Sequence, residues 1–231
     1  RVLLVEMGTR RSAAPLFAES PPSYRPQKNS YGFSHSLLDG LSCLQDYFGA
    51  FHGFKAIAGP VLNHPFFKNL VAVAPGLSDL AILGKLTAQL RQHGPGYNYD
   101  HVIVDSPSTG HFLSMLQAPR LLGESVRRGP LRTQGQGIEK VLKNPRIVQY
   151  FVLGLFEPIP VDELLESQAS LSRELGFSPS LVLNKAWNIE DPKIRDFAWQ
   201  KIVKAKRETQ LAIKDRVLKT QLETWWVPHM G

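Results

Sequence analysis

The stretch YDHVIVDSPSTGH, residues Tyr99–His111, decides the fold. Its β-branched run, Val102–Val104, predicts a short buried strand that ends at Asp105. Small residues follow as a turn, and from Phe112 onward the apolar spacing is typical of a helix. Open α/β sheets present their binding sites in this way, with a polar residue at the carboxyl end of a strand and a turn into a helix.

Asp105 has two interpretations at this point. In nucleotide hydrolases, an Asp at the end of such a strand holds Mg²⁺, and the following turn senses the γ-phosphate. Alternatively, the carboxylate only caps the turn. The pattern by itself leaves both open, because a motif match is a hypothesis.

Residues Asp105–His111, DSPSTGH, resemble the D-[TS]-[AP]-[PA]-T-G-H signature of the anion-transporting (arsenite-pump) ATPase family. This family includes the ATPases that guide tail-anchored proteins to membranes. Four further blocks resemble family segments in the same order: Val2–Phe17, Ala74–Lys85, Glu157–Val161 and Leu181–Asn184. The resemblance covers most of the chain, and Asp105–His111 is its most specific part.

The alternation of strands and helices predicts an α/β fold with a doubly wound, mainly parallel sheet flanked by helices. The resemblance implies that this fold is of the phosphate-loop nucleotide hydrolase type. We expect one domain over residues 1–231, with 20–69 and 112–145 as inserted helical or loop regions. The predicted strands are Val2–Val5, Leu70–Ala74, Val102–Asp105, Tyr150–Leu155, Leu181–Asn184 and Thr224–Val227.

The resemblance implies ATP and Mg²⁺ as cofactors. Asp105 is then the metal ligand and a catalytic group, and Thr109 and Gly110 report the γ-phosphate. Asn184 resembles the family's adenine-reading Asn, and Pro228 matches the Pro beside the adenine. From the residues alone, Asn184 is equally explained as a turn residue.

The first strand departs from the family pattern. The family usually has an Asp after this strand that orients the attacking water, whereas Gly8 stands there in this chain. Glu6, at the strand tip, is the nearest carboxylate and is a candidate catalytic group that positions water or Mg²⁺. The departure supports a second interpretation, a non-hydrolysing pseudo-ATPase scaffold that binds a protein partner.

The phosphate-binding sequence G-x-x-x-x-G-K-[ST] does not occur in these 231 residues. In the family this loop lies just upstream of the strand that corresponds to Val2–Val5. The chain starts at Arg1, directly before that strand, so we expect that further residues precede Arg1.

Charge and composition limit the partners. The net charge is 27 − 20 = +7, which permits nucleotide, anionic lipid or nucleic acid, but no basic and aromatic repeat indicates nucleic-acid binding. One cysteine, Cys43, excludes an internal disulfide and a CxxC zinc site.

The resemblance implies a homodimer, or a heterodimer with a paralogue, and a possible protein client. A membrane-targeting chaperone would need a Met-rich groove, and the chain has three Met.

No apolar run reaches the roughly 18 residues of a membrane span, so a cytoplasmic location with at most peripheral membrane contact is expected.

Glu124–Gln136 is predicted to be a long irregular loop, and Asp79 and Lys85 are predicted to lie on a solvated helix face. The predicted helices are Leu37–Phe54, Leu77–Gln92, Phe112–Leu122 with a break at Pro119, Ile138–Leu142, Val161–Leu175 and Pro192–Gln221.

Overall fold

The computed structural model describes residues 1–8, 13–17, 22–50, 75–125, 130–186 and 197–228. The chain divides into two compact units, residues 1–142 and 143–231. The strand predicted at Leu70–Ala74 lies outside the described residues, and the single domain expected over residues 1–231 stays a prediction.

Among its described residues, the first unit has a four-stranded sheet with the order β2-β3-β1-β4. Strand β1 pairs in parallel with both β3 and β4, and the short β2 pairs antiparallel with β3. The strands are β1 (Val2–Met7), β2 (Gln27–Lys28), β3 (Ser34–Leu38) and β4 (His101–Asp105). A mainly parallel sheet of an α/β protein is therefore confirmed, although β3 was not predicted.

The described part of this unit contains four α-helices, and the second packs against the other three. Their buried apolar side chains, together with Leu3, Val5 and Leu38 of the strands, form the core of the unit. A short 3₁₀ helix, Ala14–Phe17, follows β1. The helices are α1 (Gly40–Ala50), α2 (Pro75–Arg91), α3 (Thr109–Ser125) and α4 (Pro130–Leu142).

Two predicted boundaries in this unit were wrong. The helix expected from Leu37 begins at Gly40, because the preceding residues pair with β1 as strand β3. The helix expected to break at Pro119 continues to Ser125, with Pro119 buried in its interior. Packing against a neighbouring helix here outweighs the usual cost of a proline inside a helix.

The loop predicted at Glu124–Gln136 was also wrong, since α4 already begins at Pro130. Proline is favoured in the first turn of a helix, where its missing N–H is not needed. Gly135 suggested a loop, but it serves close packing. A Cβ at this position would lie 2.6 Å from the carbonyl oxygen of Pro119 on α3.

Strand β4 differs from the buried strand that its sequence predicted. Val102, Ile103 and Val104 are all exposed, Ile103 by 57%. In the described sheet, β4 pairs with β1 along one edge only, so its side chains lack the cover that a central strand has.

Where the second unit is described, it has a parallel three-stranded sheet with the order β5-β6-β7 and two helices. Helix α5 packs against β5, where Gly154 brings the strand close to Leu164. Gly176 ends α5 in the left-handed conformation with φ 82°, as the sequence predicted. The elements are β5 (Phe151–Leu155), α5 (Pro158–Leu175), β6 (Ser180–Ala186), α6 (Phe197–Leu218) and β7 (Thr224–Pro228).

Candidate functional site

Two carboxylates lie side by side at the carboxyl ends of β1 and β4. Glu6 and Asp105 are direct register partners in the parallel pair. Directly opposed residues of neighbouring strands share one face of the sheet. The sequence predicted that Glu6 and Asp105 both lie at the carboxyl ends of their strands, and the described backbone agrees. The catalytic roles of Glu6 and Asp105 stay predictions.

Asp105 is exposed and precedes the turn that leads into α3. Ser108 accepts the first backbone hydrogen bond of that helix, from the N–H of Phe112 at 2.9 Å. Thr109 and Gly110 are the first two residues of α3. The first N–H groups of a helix have no partner within the helix, and they carry partial positive charge, which favours a phosphate or another anion.

Gly110 leaves the start of α3 open. A Cβ built at Gly110 meets no atom within 4 Å. A ligand is therefore able to approach the backbone here without displacing a side chain. An exposed carboxylate next to such a helix start suits a Mg²⁺ ion with phosphate, because Mg²⁺ prefers oxygen ligands and usually needs only one or two carboxylates.

Glu6 has a different environment from Asp105. It is 1% exposed, and its Oε2 lies 2.7 Å from Nε2 of His35 on β3. Its Oε1 accepts the N–H of Ala13 at 2.8 Å. An ionised carboxylate only accepts hydrogen bonds, so the His35 nitrogen is the donor in this pair. Sequence reasoning missed His35, because nothing in its own segment indicates a buried partner for Glu6.

His111, the last residue of the signature, contacts α2. Its Nε2 lies 3.4 Å from Oδ1 of Asp79, whose side chain is mostly buried. The solvated face predicted for Asp79 was therefore wrong, because α2 and α3 pack together and bring the two residues into contact.

The solvated face predicted for Lys85 was wrong as well. The Lys85 side chain is 10% exposed, and its Nζ lies 2.6 Å from Oδ2 of Asp46 on α1. The ammonium also lies 5.5 Å and 5.1 Å from the ring centroids of Tyr24 and Tyr97, within range of cation–π attraction. Lys85 thus links α2 to α1 and to the segment before β2.

The phenols and the thiol around Lys85 stay protonated near neutral pH. Burial raises the pKa of Cys43 to about 12 and raises the pKa of both Tyr24 and Tyr97 well above the usual range. Tyr24 donates its hydroxyl hydrogen bond to Asp46 at 2.7 Å. Cys43 is therefore a buried and unreactive thiol.

Asn184 and Pro228 belong to the second unit, and both lie near the carboxyl ends of its strands. Asn184 pairs in register with Leu155, and Pro228 with Ala186. The side-chain oxygen of Asn184 accepts the N–H of Lys185 at 2.8 Å, as in a turn. A carbonyl oxygen has two lone pairs, so this bond does not prevent contact with a base, and base binding stays a prediction.

Within the described ranges, no group of three or more His, Cys, Asp or Glu side chains is arranged to hold a metal ion. A Mg²⁺ ion that takes most of its ligands from phosphate and water needs no such group. A search of the same ranges found no helix with the length and apolarity needed to cross a membrane.

Comparison with known proteins agrees with the signature. The family model for anion-transporting ATPases matches residues 55–149, a range that includes α2, β4, α3 and α4. Similar curated proteins are "Putative ATPase Mb3704" of Mycobacterium bovis and ATPase BagA of Mycobacterium tuberculosis. Each is 27% identical over 181 residues, which cover 75% of this chain and 53% of the relative.

The chain therefore spans about half the length of these relatives. The matched range contains Asp105, Thr109 and Gly110. The signature turn and both comparisons agree on one conclusion: the chain is similar to the anion-transporting ATPases over residues 55–149 and to the two mycobacterial ATPases over 181 residues.

Proposed function

We propose that this protein binds ATP with Mg²⁺ at the carboxyl edge of the first sheet and hydrolyses it. The observation that carries the proposal is the exposed carboxylate of Asp105, which ends β4 directly before the signature turn and the start of α3. A carboxylate suits Mg²⁺ and a helix start suits phosphate, so this edge offers both groups that a nucleotide with Mg²⁺ needs.

The roles follow from this arrangement. Asp105 holds Mg²⁺, usually through water in such sites, and the bound ion would neutralise charge on the phosphates. Thr109 and Gly110, at the start of α3, meet the γ-phosphate through backbone N–H groups. Asn184 and Pro228 remain the residues predicted for the base.

We propose further that the nucleotide controls assembly. In this proposal ATP binding changes the position of residues 110–122 and thereby opens or closes a homodimer, or a heterodimer with a paralogue. A client protein is the expected partner, nucleic acid is not, and the expected location is the cytoplasm. Light scattering with and without ATP–Mg²⁺ tests this, and an unchanged mass would reject the nucleotide-dependent switch.

Calorimetry of ATP–Mg²⁺ binding to the full-length protein tests the nucleotide site. We expect binding by the wild type and a loss of turnover of about 100-fold or more in Asp105→Asn, because metal stabilisation of transferred phosphate is worth several kcal/mol. Asp215→Asn is the control, since Asp215 is an exposed residue of α6 in the second unit. A folded wild type without binding would reject the proposal.

A pseudo-ATPase scaffold is the second candidate, and Gly8 favours it. Gly8 stands where the family usually has the water-orienting Asp, and its φ of 87° is disfavoured for residues with a side chain. The scaffold predicts binding of a protein partner without turnover. Single-turnover assays with ATP–Mg²⁺ separate the two, because only the hydrolase releases phosphate.

A further inference from the structure

The buried pair of Glu6 and His35 has no part in the proposed roles so far. The two residues are 1% and 7% exposed, and their side chains are 2.7 Å apart. Burying ionisable groups costs several kcal/mol in desolvation, and apolar side chains of similar volume are often equally stable. Stability of the core therefore does not account for the pair.

The second oxygen of Glu6 indicates what the pair does. Glu6 Oε1 accepts the N–H of Ala13, and the N–H of Gly8 donates to the carbonyl of Leu38, each at 2.8 Å. The chain is thus held by β3 on both sides of residues 9–12. Gly8 is bound directly by the backbone of β3. Ala13 is bound by the side chain of Glu6, and His35 on β3 holds that side chain in place.

This attachment lies next to the proposed metal site. Glu6 and Asp105 are register partners, and Asp105 is the carboxylate that we assign to Mg²⁺. The hydrogen bond from Ala13 to Glu6 therefore ties Ala13 to the neighbour of Asp105. A shift of Glu6 would move the segment that leaves β1 at the same edge. Misplacement of a site by about 1 Å can cost about 100-fold in rate.

We propose that His35 is a positioning residue for ATP hydrolysis. It fixes the carboxylate of Glu6, the register partner of Asp105, and this carboxylate fixes the backbone N–H of Ala13. Glu6 then acts through the backbone and does not need to touch water or metal. This inference rests on the proposed ATPase activity.

The test compares three variants of the full-length protein. Glu6→Leu with His35→Leu removes the hydrogen bonds but leaves apolar side chains, which keeps the unit folded. His35→Gln retains an N–H donor for Glu6, and Glu6→Gln retains an oxygen for Ala13. His101→Gln is the control, because His101 is an exposed residue at the opposite end of β4.

We expect the double Leu variant to lose about 100-fold in kcat with less than about a threefold change in the KM for ATP. The kcat of each single Gln variant is at least about tenfold higher than that of the double Leu variant. The kcat of His101→Gln equals that of the wild type. Circular dichroism confirms that each variant is folded.

Two results would overturn the inference while leaving the ATPase proposal intact. If the folded double variant keeps wild-type kcat, the pair is only structural. If Glu6→Gln is as slow as the double variant, Glu6 acts directly through its charge. A wild type that neither binds nor hydrolyses ATP would instead overturn the proposed function and, with it, this inference.

Discussion

The ends of β1 and β4 place two carboxylates at one edge of the same sheet, in opposite surroundings. Glu6 is buried, with His35 and the N–H of Ala13 on its two oxygens. Asp105, its register partner, is exposed. The same chemical group at neighbouring positions is therefore enclosed in one case and open to solvent in the other.

The cause of this difference is the place of each strand in the sheet. Strand β1 has neighbours on both sides, and β3 supplies the His35 that covers Glu6. Strand β4 has β1 on one side in the described sheet, and Asp105 at its carboxyl end is exposed. The comparison shows that the order of the strands decides which carboxylate is accessible to a ligand. Four measurements test the contrast between buried and exposed groups.

The largest expected effect is on stability, from His35→Leu alone. This change leaves the Glu6 carboxylate buried without its His35 partner, which should cost about 3–5 kcal/mol of unfolding free energy. Urea unfolding should be followed by far-UV circular dichroism, because all four tryptophans lie in residues 143–231. A loss below about 1 kcal/mol would mean that Glu6 is not effectively buried.

A smaller loss is expected from Lys85→Met, which extends the comparison to the other buried charge. The variant keeps much of the side-chain length but loses the ion pair with Asp46 and the contacts with two aromatic rings. We expect a cost of about 1–2 kcal/mol. Lys204→Met, at an exposed position of α6, is the control and should change stability by less than about 0.5 kcal/mol.

The pH dependence of stability tests the burial of Cys43. Its pKa is raised to about 12 by burial, whereas an unfolded thiol ionises near pH 8.5. The unfolded state therefore releases this proton first, and stability is lost as pH rises from about 8.5 toward 12.

Between pH 8 and 9.5, the wild type should lose about 1 kcal/mol more than Cys43→Ala. The measurement is urea unfolding of both proteins at the two pH values. Parallel losses in the two proteins would show that the thiol is accessible to solvent in the folded state.

The smallest expected change in stability is that of Asp105→Asn. An exposed carboxylate at a strand end should contribute less than about 0.5 kcal/mol, although the same substitution removes turnover in the proposed function. Thermal unfolding without nucleotide checks this. A loss above about 1 kcal/mol would mean that Asp105, like Glu6, stabilises the fold. The contrast between the two carboxylates would then be wrong.

Much of the fold followed from local patterns. The β-branched run before Asp105 gave β4, the leucine spacing gave α2, and Gly176 correctly marked the end of α5. The signature pointed to the anion-transporting ATPases, and the family model matches the range that contains it. These features are encoded by residues close together in the sequence, so a linear pattern is enough to find them.

The errors share a different cause. Strand β3 was missed because Ser34, His35 and Ser36 are polar, although all three pair with or lie beside β1. Pro119 and Gly135 looked like breaks, but they lie inside two helices that pack closely against each other. In each case a distant segment outweighed the local preference.

By itself, the sequence determined the α/β class, the resemblance to the anion-transporting ATPases and the position of Asp105 at the end of a strand before a helix. Only the tertiary structure decided that Glu6 is enclosed by His35, that Lys85 is buried among Tyr24, Asp46 and Tyr97, and that Asp105 remains exposed. The physical reason is that burial depends on which segments become neighbours. A strand's own residues encode its pattern, whereas its neighbours decide the environment of each charge.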